Sequence, residues 1–119
     1  SEGNMFRLDD NFLNELGLGA LPPQEKNAML RHILETLELR VGMKLAENMS
    51  NQQLSDFEKL MPKQDDAEDA KKQKEQQALK WLESSFPDYK KVVGDELENL
   101  KAEIKRSAPD ILANSPNQQ

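Results

Sequence analysis

Metal or acid–base chemistry in this chain would have to start from its only histidine, His32, in the run Arg31-His32-Ile33-Leu34-Glu35. His32 and Glu35 lie three apart and share a helix face, so together they could hold a proton or one edge of a metal ion. A metal site needs at least three placed ligands, however, and the carboxylate-bridged bundles repeat Glu-x-x-His on two helices; here the order is reversed and unpaired. His32 is therefore read as a surface or interface histidine. The pair Gly17-x-Gly19 invites a phosphate-loop reading, but it follows a helix rather than a strand and lacks both a third glycine and a Gly-Lys-Ser/Thr ending. It reads as a helix stop. Asp9 with Asp10, or Glu35 with Glu38, would be carboxylate pairs for hydrolysis only with a cleft and a defined separation; among 22 acids, adjacent pairs arise by chance. Lys71, Lys72 and Lys74 sit beside Asp65, Asp66, Glu68 and Asp69 with no interleaved aromatic, which is the pattern of a solvated face rather than a strand-tracking basic groove. Trp81, Phe86 and Tyr89 gather around Pro87, either as the core of an aromatic-poor protein or as a recognition patch with the Tyr89 hydroxyl outward.

No catalytic, metal or cofactor signature emerges, and composition narrows the classes further. The chain has 119 residues, enough for one modest core, with 36% hydrophobic, 5% aromatic and 32% charged residues. Its formal charge of -6 disfavours phosphate backbones and anionic membrane surfaces. The absence of cysteine excludes disulfides, thiolate nucleophiles and Cys-based metal sites, and points to a reducing, cytoplasmic setting. No apolar run reaches the ~18 residues of a membrane span, and no basic segment leads into an apolar one. Ser1 to Asn4 precede Met5, so residues 1–5 read as a tag remnant or disordered start.

The elements that would position any site are helical throughout. Asp9 and Asp10 cap a short helix with Phe12, Leu13 and Leu16 at helical spacing, stopped by Gly17. Residues 17–23 form a buried corner with Leu18 and Leu21, ending in prolines suited to a first turn. From 23 to 49 one long helix carries an apolar stripe of Leu30, Ile33, Leu34, Leu37, Val41 and Leu45. Ser50 to Gln53 is a capping box opening a third helix with Leu54, Phe57, Leu60 and Met61, ended by Pro62. Residues 63–77 are nearly devoid of apolar side chains, but their acids precede Lys71, Lys72 and Lys74 in the order a helix dipole favours, so they read as a solvated helical turn or two, the fourth helix docking through Leu79, Leu82 and Phe86 before Pro87. The fifth helix shows Tyr89, Val93, Leu97, Leu100 and Ile104 on its buried face, with Glu98–Lys101 and Glu103–Arg106 as supporting pairs. The expectation is an all-α fold: about five helices in an irregular bundle around one long central helix, a single domain over 6–106 and a tail over 107–119 that is disordered or loosely attached through Ile111 and Leu112.

Phe12-Leu13-Asn14-Glu15-Leu16-Gly17-Leu18, then Leu21-Pro22, then Leu37-Glu38-Leu39-Arg40-Val41-Gly42, then Trp81-Leu82 before Phe86-Pro87-Asp88-Tyr89 resembles a family of short bacterial proteins from small-genome lineages, catalogued as a domain of unknown function. The resemblance covers about residues 6–106 and implies a helical fold, with no activity, cofactor or site residues to carry over.

One feature outlasts these exclusions. His32, Thr36, Leu39, Met43 and Ala46 make a second row on the long helix, away from the main stripe. A helix with two apolar sides is either sandwiched by its own chain or uses one side to meet another molecule. Two readings follow: helices four and five cover Leu39 and Met43, or the row, with Trp81 and Tyr89 as further candidates, belongs to a non-catalytic interaction module that takes a protein partner or forms a homodimer. A nucleic-acid-associated regulator using Lys90, Lys91, Lys101, Lys105 and Arg106 runs second, and a small carboxylate hydrolase third. No small-molecule ligand is indicated.

Overall fold

The computed structural model describes residues 8–115, all-α with five helices: α1 (Asp10–Glu15), α2 (Pro23–Ala46), α3 (Asn51–Leu60), α4 (Glu68–Ser85) and α5 (Tyr89–Ala113). The expected tag remnant at 1–5 lies outside the described residues. Where the sequence reads as one domain over 6–106, the chain parts into two compact units, one running up to Val41 and resuming at Val93, the other comprising Gly42–Val92.

The first unit begins at a capped turn. The Asp9 carboxylate accepts the Phe12 N–H at 3.1 Å, satisfying an otherwise orphan donor of α1. The helix stops in a Schellman motif: the Leu18 N–H donates to the Leu13 carbonyl at 2.9 Å and the Gly17 N–H to that of Asn14 at 3.1 Å. Gly17 takes φ +84, the left-handed angle this motif needs and glycine adopts most readily. The apolar contact typical of the motif joins Leu13 to Leu18, both 0% exposed. Leu16, Leu21, Ile33, Leu37 and Val41 complete the N-terminal share of the core, and Leu97, Leu100, Ile104 and Ala108 supply that of α5.

In the second unit, α3 opens with both halves of the capping box: the Gln53 N–H donates to the Ser50 hydroxyl at 3.1 Å and the Ser50 N–H to the Gln53 side chain at 2.9 Å. Its core is Leu45, Phe57, Leu82 and Tyr89. Trp81 is half-buried, stacked on Phe57 with ring centroids 5.7 Å apart and meeting Phe86 at 5.9 Å. Offset ring pairs of this kind compensate for the few aromatics available.

Residues 68–77 are helical, in line with the order of their acids and lysines; Asp66 latches the preceding turn by accepting the Lys63 N–H at 2.8 Å and the Lys74 ammonium at 2.7 Å, with Glu68 and Asp69 favourably placed at the positive helix end. Two expectations are corrected. The tail expected from 107 is helical as far as Ala113, carrying Pro109 inside the helix. A proline there costs about 3 kcal/mol or more, yet Ala108 is buried and Ile111 and Leu112 are half-buried, continuing the stripe of Leu97, Leu100 and Ile104. Leu34 and Leu79, assigned to buried stripes, are 39% and 40% exposed, each sitting at the edge of its helix's apolar face.

Because a Cβ at position 17 meets an unfavourable backbone angle, Gly17→Ala is expected to lower unfolding stability by about 1–2 kcal/mol. Urea denaturation followed by circular dichroism checks this.

Candidate interaction surface

Burial decides which side of α2 is free. Ile33, Leu37 and Val41 in the first unit, and Leu45 in the second, are at most 9% exposed and mark the inner side at steps of four. The outer row lies on the other side of the same helix. In the first unit His32 is exposed, Thr36 is half-buried and Leu39 is 61% exposed; in the second, Met43 is 62% exposed and Ala46 half-buried. Of the two sequence readings of this row, burial of Leu39 and Met43 by α4 and α5 is the one the structure does not bear out.

His32 also borders a cavity of about 240 Å³ in the first unit, lined by Leu21, Glu25, Ala28, Met29 and Ile111. Its floor is apolar, and the Ser115 hydroxyl donates to the Glu25 carboxylate. Among the described residues no three of His, Asp and Glu come together as a metal site would require. Ile111, expected as an attachment point of the tail, lies within α5; its step of three from Ala108, which itself follows Ile104 by four, is the signal that the helix continues.

Of the further candidates Trp81 and Tyr89, Tyr89 lies in the core of the second unit and Trp81 is half-buried against Phe57 and Phe86. Tyr89 is 6% exposed. Burial pushes its phenol above the usual value, and the neighbouring Glu83 carboxylate, its hydrogen-bond partner, raises it further.

Several charged side chains of the first unit pair within it. Arg40, next to the outer row, makes a bidentate pair with Glu103, with Nη1 to Oε2 at 2.7 Å and Nη2 to Oε1 at 2.6 Å. Glu103 was expected to pair with Arg106 along α5; the planar guanidinium of Arg40 offers two parallel donors, the stronger geometry. Lys101 lies 2.9 Å from Glu15 and 3.6 Å from Glu98, the second of these being the expected helix pair. These cations hold Glu103 and Glu15 below the ordinary carboxylate value, chiefly through the side-chain hydrogen bonds, as Lys74 does for Asp66. Asp9, one of the conceivable catalytic acids, is the α1 cap, and Asp10 lies 3.9 Å from Lys26.

The helical architecture defines an all-α protein. The chain belongs to the family described as protein of unknown function (DUF5663), whose model matches residues 12–104. No curated protein and no solved structure matches it.

Two titrations check the geometry. Carboxyls lowered in the folded state stabilise it fully above the ordinary carboxylate pKa, and that stability is lost as pH falls through the lowered values. The urea midpoint is therefore expected to fall between about pH 5 and about pH 3, and Glu103→Gln to make that fall shallower. Tyr89 is the only tyrosine, so the phenolate absorbance of the folded protein is expected to rise with a midpoint above 10.0 and to return to the ordinary value in urea.

Proposed function

We propose that this chain is a non-catalytic helical protein–protein interaction module, docking a partner's helix against the outer row of α2. The observation that carries the reading is Leu39, 61% exposed on an ordered helix whose other side is fully committed to the core. A large aliphatic side chain held rigidly in water offers apolar area to a partner at little further entropic cost. Met43, 62% exposed one turn along, adds an adaptable thioether suited to an irregular partner surface. The flanking exposed Arg31, Glu35 and Glu38 give the polar rim that recognition surfaces carry.

The same composition supports work in a reducing compartment, since no cysteine needs protection or pairing. Among the described residues no helix is long and apolar enough to cross a membrane. The nucleic-acid reading gains no support: within its cationic row Lys101 is already held by Glu15 and Glu98.

Leu39→Glu with Met43→Glu replaces exposed side chains, so the variant is expected to unfold within about 0.5 kcal/mol of the parent at each site. Association should be lost. Sedimentation velocity over a concentration series tests self-association, and capture from the source cells, run in parallel with parent and variant baits, tests a foreign partner. A parent that stays monomeric and captures the same proteins as the variant would overturn the reading.

A further inference from the structure

We propose that Gly42 and Gly94 form a paired hinge, one in each of the two helices through which the chain passes between its compact units. The chain crosses only twice, between Val41 and Gly42 in α2 and between Val92 and Val93 in α5. A glycine stands at or one residue beyond each crossing, and among the described residues these are the only glycines inside helices.

Neither position needs glycine for packing or for backbone angle. A Cβ built on Gly42 would sit 3.5 Å from the Met61 Cε, an ordinary van der Waals contact, and one built on Gly94 would meet nothing within 4 Å. Neither takes a positive φ; of the described glycines only Gly17 does. Glycine is the least favourable residue after proline in a helix interior, because it leaves the most backbone freedom to be frozen and the hydrogen bonds least shielded. With no steric role to set against that cost, the freedom itself is what the two positions supply. Hinges in proteins are a few residues, often small, that absorb changes in φ and ψ while the bodies on either side stay packed, and helix bends gather at glycine.

Each body has its own fastening. The first unit has the bidentate Arg40–Glu103 pair and the buried Val41. The second has the Phe57–Trp81 stack and the Asp66–Lys74 latch. The hinge rests on the glycines and the unit boundaries, and Gly42 stands between Leu39 and Met43 in the α2 row.

The absence of cysteine makes the test direct. Spin labels at Ser107→Cys and Gln76→Cys, one in each unit, report motion between them; labels at Asn27→Cys and Ser107→Cys, both in the first unit, provide the internal reference. Double electron–electron resonance is expected to give a broad distance distribution for the first pair and a narrow one for the second. Gly42→Ala with Gly94→Ala should narrow the first and leave the second unchanged, while amides in the turns around residues 42 and 94 exchange about fivefold more slowly at each site. A parent distribution as narrow as the internal reference, or one that the alanines leave unchanged, would overturn the hinge. Loss of helicity or stability in the alanine variant would equally overturn it, by showing that packing requires glycine there.

Discussion

The long helix α2 can bury only one of its two apolar sides, and the rest of the structure follows from which side that is. In an aromatic-poor chain the core is built from aliphatic rows, and Ile33, Leu37, Val41 and Leu45 are the row that the surrounding elements fill against. The corner after α1 is organised to meet it: the Schellman stop at Gly17 turns the chain so that Leu18 and Leu21 are buried too. Once that side is committed, Leu39 and Met43 are left in water by the geometry of the helix itself.

Polar interactions secure this choice rather than create it. Arg40 on α2 and Glu103 on α5 meet as a fork within the first unit, and Glu96, itself buried, adds negative charge near the same guanidinium, whose proton affinity is raised mainly by its bond to Glu103. Lys101 does the same for Glu15 at the end of α1. Pairs this exposed contribute modestly to stability, but two parallel donors on one carboxylate fix an orientation that apolar contact alone leaves free to slide.

Much of the fold was legible because its boundaries are written in local chemistry. Asp9, Gly17, Ser50 with Gln53, Pro62 and Pro87 act over a turn or two, and each boundary falls where its residue type places it. What was not legible depends on distant parts of the chain. Arg40 and Glu103 are 63 residues apart, so helical spacing proposes Arg106 as the nearer partner of that glutamate. Pro109 reads as a breaker until Ala108, Ile111 and Leu112 are seen to extend a buried row through it. Trp81 and Tyr89 were ambiguous between core and surface because a helix corner suits either; tertiary packing buries Tyr89 and leaves Trp81 half-buried. The outer row of α2 was visible as a row, but its fate required knowing which elements pack where.

The central claim is that the Leu39 and Met43 side of α2 is bare in the isolated chain and covered when the protein is at work. Hydroxyl-radical footprinting, read by mass spectrometry residue by residue, tests both halves on the unmodified sequence. The account predicts that both side chains oxidise rapidly in the purified protein at low concentration, with Ile33 and Leu37 protected. In an extract of the source cells, Leu39 and Met43 should become protected while exposed side chains elsewhere, such as Leu79, keep their rates. Slow oxidation of Leu39 in the dilute purified chain, or identical rates in both settings, would contradict it.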